Sequence, residues 1–220
     1  MMRSRFDGEL QQLNSVLIMM GAACEEAIAC SVKAALDAGE AEEAELRARA
    51  AELEEKIDRQ ERDAEDLCLR LLLLQQPVAG DLRVISSALK MISDMERIGD
   101  QALDIAELAG RIRGVDDGRR LHLRQMATET IKMVTDSVNA FVNADLQAAR
   151  AVVAYDDVVD GLFNAVRREL TELVSGDSAN GEMYLDTLMA AKYFERIGDH
   201  AANIAEWVEF SITGKHDENA

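Results

Sequence analysis

Proline is almost missing from this 220-residue chain, which has one, and aromatic residues are nearly as scarce, with nine in all. Such a chain has little material for β-sheet and few interruptions of helix. Alanine, leucine, glutamate and arginine dominate instead, and they favour helix interiors, so the composition predicts an all-α protein. Cysteine is limited to Cys24, Cys30 and Cys68, an odd number without CxxC spacing. This excludes a disulfide framework or a thiolate zinc site and predicts buried free thiols. No basic stripe with interleaved aromatics relieves a formal charge of −18, which argues against direct nucleic-acid binding. The acidic surface fits a protein that handles cations or docks on basic partners. Long apolar runs are also lacking: VLIMMGAAC at 16–24 and LCLRLLLL at 67–74 are too short to span a bilayer, and MMRSRFDGEL holds no signal core. The expectation is a cytoplasmic protein without a transmembrane segment.

What is present is helix. Turn signals at Asp37-Ala38-Gly39, Gln76-Pro77, Gly114 to Gly118, Asn143-Ala144-Asp145 and Ser175 to Gly181 leave six long segments, about 8–37, 43–75, 81–112, 119–143, 146–175 and 182–213. Asp81 and Asp145 precede apolar periodic runs and are read as N-caps. GVDDG at 114–118 divides the six into three and three. ERIGDQALDIAE at 96–107 aligns with ERIGDHAANIAE at 195–206 at nine identities in twelve positions, which indicates an internal duplication. The predicted architecture is two tandem three-helix bundles, residues 1–114 and 115–220, each with its own core.

The repeated dodecamer is acidic on one side. Glu96, Asp100, Asp104 and Glu107 project at about 0°, 40°, 80° and 20° around a helix. Ile85, Leu89, Ile92 and Leu103 fall within or beside that sector, so the carboxylates interrupt an apolar seam. In the second copy Glu195, Asp199, Asn203 and Glu206 share a sector with Tyr184, Leu188, Ala191 and Ala202. Like charges four residues apart repel, by roughly 0.2–0.5 kcal/mol when exposed and more when drawn from water. Arg97 and Arg196 point some 100° away from the leading glutamates, so a bound cation is the more economical partner. The preceding helix of each half adds an i,i+4 pair, Glu54 with Asp58 and Asp156 with Asp160. Glu61 and Glu65 extend the first acidic stripe, whereas Phe163 and Arg167 occupy the corresponding places in the second. Gly99 and Gly198, each costing about 1 kcal/mol in a helix relative to alanine, point to close approach of a neighbouring helix.

Paired E/DxxxD spacing on the second and third helix of each half, together with ERIGD and NIAE, resembles the PhoU-type phosphate-uptake regulators over about residues 6–213. QQPVAGDLR at 75–83 resembles the segment leading into that family's third helix. The resemblance implies two similar three-helix bundles, dimerisation and multinuclear metal clusters. It assigns ligand roles to Glu54, Asp58, Glu96 and Asp100 in one half and to Asp156, Asp160, Glu195 and Asp199 in the other, with Asp104, Glu107, Asn203 and Glu206 as weaker candidates. It further implies negative regulation of the phosphate-starvation response, linking a phosphate ABC transporter, through its ATP-binding subunit, to a membrane sensor histidine kinase. That role would bring the protein to the inner face of the membrane through its partners. Gln75 stands where the family usually has arginine, the second half lacks a QPxxxDLR segment, and Asn203 replaces the counterpart of Asp104, so the halves are expected to differ.

Carboxylate ligands suit magnesium, manganese, calcium or iron better than zinc, which recruits histidine or cysteine. Of the three histidines, His122, His200 and His216, His200 follows Asp199 directly, faces about 100° away from it and is read as a surface or packing residue. Two other classes compete. A ferritin-like or di-iron enzyme requires Glu-x-x-His on two helices, a spacing that is absent. An acidic adaptor without functional metal would use the same faces to dock basic partners. No GxxxxGK[ST] loop or GxSxG elbow indicates catalysis, and the expectation is a non-enzyme with internal cation sites.

Overall fold

The computed structural model describes residues 2–75, 77, 79–113, 115 and 117–215. The turn signals at Gln76, Gly114 and Asp116 lie outside the described residues, as does His216. Six helices account for nearly all of the rest: α1 (Met2–Leu36), α2 (Glu40–Gln75), α3 (Ala79–Ile112), α4 (Asp117–Asn143), α5 (Leu146–Gly176) and α6 (Gly181–Thr213). A single 3₁₀ turn at Ser178–Asn180 precedes α6, and no described residue is in a strand.

Local chemistry sets most of the boundaries. Asp145 is the N-cap of α5, its Oδ1 accepting from the backbone N–H groups of Gln147 and Ala148 at 3.0 Å, and the chain turns into it through Ala144 at φ 49°. Asp81, by contrast, is not a cap: α3 begins at Ala79, and Asp81 lies within its first turn, where a carboxylate still favours the positive end of the helix dipole. Three acidic residues, Glu40, Glu42 and Glu43, occupy the first turn of α2 and carry that helix back to residue 40. α6 stops at Gly214, which takes the left-handed conformation at φ 71° and donates its N–H to Phe210 O at 2.8 Å.

Helices α1, α2 and α3 pack on one another, as do α4, α5 and α6, giving the two expected bundles. The bundles join side by side, with α3 against α6 and α1 against α4. Both inter-bundle pairs are antiparallel. Arg83 at the start of α3 donates from Nε to Ser211 O near the end of α6 (3.4 Å), while Arg111 at its other end faces Asp186 at the start of α6 (3.9 Å). Arg124 of α4 makes a two-pronged ion pair with Asp37 just past α1, and Thr135 donates to Glu25 at 2.8 Å. Helices α1, α3, α6 and α4 thus form a closed inner ring, with α2 and α5 on opposite flanks. The buried apolar side chains of both bundles merge into one contiguous cluster, from Leu13, Leu17, Ile57 and Met95 to Val159, Phe194 and Ile204.

The stretch Phe6–Leu36 of α1 is long and apolar enough to cross a membrane by length and composition, further than its short apolar run indicated. Here it is a core helix: Leu13, Leu17, Met20, Cys24 and Ile28 are fully buried. Cys24 and Cys68 are buried thiols, each pushed up to about 12 chiefly by burial, whereas Cys30 is only half-buried, a departure from the expected burial of all three.

Candidate metal centre

Each bundle places its two carboxylate pairs on facing helices. Gly99 and Gly198 explain how those helices come so close. A Cβ on Gly99 would lie 2.9 Å from Ile57 Cδ1, and one on Gly198 would lie 3.3 Å from Val159 Cγ1 and 3.2 Å from Asp156 Oδ1. Ile57 sits three residues after Glu54, as Val159 does after Asp156, so the same contact is made twice. In both halves the glycine's missing side chain lets the ligand-bearing second helix settle against the third, which supports the packing reading of the mid-helix glycine.

In the second half, Asp160, Glu195 and Asp199 each offer a carboxylate oxygen, and these oxygens all lie within 4.8 Å of one another. Asp156 completes the group. Burial first, and then the charges of Asp199, Asp160 and Glu195, push its carboxyl up to about 6. In the first half, Glu54, Glu96 and Asp100 are all held above the ordinary carboxylate range, by burial first and then by neighbouring carboxylates, with Asp58 acting on all three. The structure therefore sets both predicted tetrads on facing helices, and draws ligand oxygens to within 4.8 Å of one another for Asp160, Glu195 and Asp199 of the second. It places them half-buried or exposed along the outer lips of the α2–α3 and α5–α6 grooves, beside the apolar core, where sequence reasoning had set them in the interior.

Of the weaker candidates, Asp104 and Asn203 have partners of their own at the seam between the halves. Burial and then the charges of Glu107 and Asp100 hold the Asp104 carboxyl up, beside the first tetrad, and it also accepts a hydrogen bond from the Tyr193 hydroxyl of the other half. Asn203 donates to Asp94 Oδ1 at 3.3 Å, and His200 Nδ1 donates to the same oxygen at 2.9 Å. Asp104 and Asn203 thus occupy the seam between α3 and α6, where they join the two bundles. His200 has the packing role expected of it, and His122 pairs with Glu169 at 3.2 Å. Glu107 is exposed and Glu206 half-buried one helical turn further along.

Sequence reasoning noted Glu61 against Phe163 but missed Ser93 and Lys192, which complete the difference between the two grooves. Ser93 donates to Glu61 Oε1 at 3.2 Å, and the Glu61 charge acts on Glu96. The corresponding places in the second half hold Lys192 and Phe163. Lys192 makes an ion pair with Glu195 while its ammonium stands 5.4 Å from the centre of the Phe163 ring. Setting SDMERIGD at 93–100 over KYFERIGD at 192–199 exposes the exchange, but only once position 93 is known to face the carboxylates.

The donor set fits a hard metal ion. All the converging groups are carboxylates, burial and then the neighbouring charges raise the proton affinity of Asp156 and Asp199, and Lys192 supplies one cation among them. Among the described residues neither groove offers the histidine or cysteine that zinc prefers.

The PhoU domain model matches the chain twice, over residues 19–109 and 123–208. A "phosphate-specific transport system accessory protein PhoU homolog" of Pseudomonas aeruginosa is 34% identical over 212 residues, covering 96% of this chain and 86% of that protein. A homolog of the same description from Clostridium acetobutylicum is 33% identical over 221 residues, covering 98% and 97%. Among solved structures, PhoU from Pseudomonas aeruginosa superposes with a TM-score of 0.89 at 33% identity, over 96% of this chain and 100% of that one. The phosphate transport system regulatory protein PhoU from Streptococcus pneumoniae superposes with a TM-score of 0.85 at 25% identity, over 97% and 99%. The duplicated six-helix fold thus has full-length counterparts, and the chain belongs to the PhoU family.

Proposed function

We propose that this protein is a non-catalytic accessory regulator of phosphate uptake that carries hard metal ions on its two acidic grooves. The observation that carries the regulatory reading is the near full-length match to relatives named as accessory and regulatory proteins of phosphate transport. On this reading the protein links the ATP-binding subunit of a phosphate ABC transporter to a sensor histidine kinase. It restrains both when phosphate is plentiful, working as a homodimer in the cytoplasm at the inner face of the membrane. Deleting the gene is expected to derepress phosphate-starvation reporters in phosphate-rich medium; normal repression in the deletion strain would count against it.

The metal reading rests on carboxylates that converge without enough countercharge. Glu54, Asp58, Glu96 and Asp100 would hold metal in the first half, and Asp156, Asp160, Glu195 and Asp199 in the second. Magnesium, manganese, calcium or iron matches such oxygen donors. The metal's contribution would be countercharge that pins α2 to α3 and α5 to α6, and the residues of the chain supply the ligands and their spacing. Replacing Asp100 and Asp199 together by alanine is expected to abolish most uptake of manganese or ferric ion by the purified protein. Unchanged stoichiometry would leave an acidic adaptor as the better account.

A further inference from the structure

The two grooves descend from one duplicated sequence, yet they differ at two positions that face the carboxylates from opposite helices. On α3 and α6 the pair is Ser93 and Lys192, each three residues before the leading glutamate and seven before the aspartate. On α2 and α5 it is Glu61 and Phe163, each three residues beyond the second carboxylate. The structure joins each pair: Ser93 to Glu61 by a hydrogen bond, and Lys192 to Phe163 by an ammonium over a ring.

In the first half this corner is polar and adds a fifth carboxylate. Among the described residues, the ion pair that reaches one of its four carboxylates is that of Arg62 with Asp58 (3.0 Å), one turn apart on α2, and Arg62 is 69% exposed. That arginine sits on the solvent side, and its equivalent in the second half is Asn164, which donates to the backbone oxygen of Asp160. The corresponding corner of the second half is filled from within. Lys192 pairs with Glu195, whose side chain is only 13% exposed, its charge also reaches Asp199, and Phe163 supports the lysine from below. An ammonium and a metal ion cannot share one carboxylate corner without strong mutual repulsion.

We propose that Lys192 is a resident cation occupying the outer ion position of the second groove, and that Glu61 is an additional metal ligand of the first, so that the first half holds more metal than the second. This rests on the metal reading above. Lys192 lowers the capacity of its groove by supplying one of the positive charges the carboxylates require. Its ammonium has no vacant orbital for the carboxylates to fill, so it neutralises without coordinating. Ser93, neutral and short, leaves the same corner of the first groove open, and Glu61 turns a carboxylate into it.

The test is a metal count on the full-length protein, equilibrated with manganese(II) alone and measured by plasma emission. Lys192→Met keeps the stem over Phe163 and removes the charge, and is expected to add about one ion per chain. Ser93→Lys places the cation in the first groove and is expected to remove about one, as is Glu61→Gln. Asp100→Ala is expected to remove a larger share of the bound metal than Asp199→Ala. If both aspartate variants lose metal while Lys192→Met, Ser93→Lys and Glu61→Gln keep the parent count, metal binding stands and this proposal is overturned. If neither aspartate variant loses metal, the metal reading falls and takes the proposal with it. Lys192 is 43% exposed and Ser93 is exposed, so the reciprocal pair probes the grooves without touching the core.

Discussion

The first and second halves share a design and differ in how they balance charge. Both press a second helix onto a third at a glycine, and both line the resulting groove with two carboxylate pairs. In the first half the groove gains Glu61 and leaves its cations, Arg62 and Arg97, towards solvent. In the second half the groove loses that carboxylate and draws Lys192 in against Glu195. The carboxylates that contract to within 4.8 Å of one another are those beside Lys192. A duplicated fold therefore repeats the backbone contact that makes a groove while the charges along its lip diverge, because the contact is set by helix packing and the lip faces solvent.

The largest effect should come from the core that the halves share. Phe194 is nearly fully buried on α6, and Met95 fills the equivalent place on α3. Phe194→Ala is expected to cost about 3–5 kcal/mol and Met95→Ala about 2–5. Because the apolar cluster is continuous across α3 and α6, either variant should lower a single cooperative unfolding transition of the whole chain. Denaturant unfolding followed by far-UV circular dichroism checks this. A split into two transitions, with one half melting as in the parent, would show the halves to be energetically separate.

Electrostatics gives the next effect, and it separates the halves by pH. In the metal-free folded chain Asp156 keeps its proton up to about pH 6, while in the unfolded chain it ionises near the ordinary aspartate value of 3.8. The folded state therefore binds more protons across that window. The stabilising contribution is complete below the unfolded value and is lost as pH rises through the folded one. Glu54, Glu96, Asp100 and Asp199 are shifted in the same direction. Thermal melts of the metal-free protein should accordingly show greater stability near pH 5 than near pH 7. Manganese should reverse the trend by stabilising most at neutral pH, where fewer protons compete. Asp156→Asn should flatten the pH dependence more than Glu54→Gln, and equal flattening would make the two grooves electrostatically alike.

The helices and the duplication were legible in the sequence because a 3.6-residue period, few breakers and a nine-in-twelve repeat are all local signals. The four carboxylate pairs were legible for the same reason: i,i+4 spacing fixes a shared helix face wherever the helix lies. Asp104 and Asn203 satisfied the same rule and also bond across to the other half. Their targets, Tyr193 and Asp94, come from the antiparallel pairing of α3 with α6, and no spacing within one helix reveals that pairing. Asp81 shows a smaller version of this, since α3 begins two residues before it and a helix boundary depends on what the preceding turn allows. Lys192 was hidden because its identity matters only beside Glu195 and Phe163, from two different helices.

The seam offers a smaller effect. Asp94 accepts from both His200 and Asn203, whereas Asp104 accepts from Tyr193. Asp94→Ala should therefore destabilise more than Tyr193→Phe, each by about 0.5–1.5 kcal/mol per hydrogen bond lost. A reversed order in denaturant midpoints would place the stronger join at the Asp104 end of α3.

The smallest change in stability, and the finest discrimination between grooves, comes from the glycines. Alanine gains about 1 kcal/mol in helix propensity over glycine, which partly offsets the cost of the new contact. At Gly99 the new Cβ would press on Ile57 Cδ1, the far end of a side chain, so Gly99→Ala should shift an apolar neighbour and leave every ligand in place. At Gly198 it would crowd Asp156 Oδ1 and the stiff branch of Val159. Both variants should lie within about 1 kcal/mol of the parent in unfolding free energy. Only Gly198→Ala should weaken manganese binding, because only there does the groove's floor touch a ligand; equal weakening by both would mean that helix spacing, shared by the halves, governs metal affinity more than the charges that distinguish them.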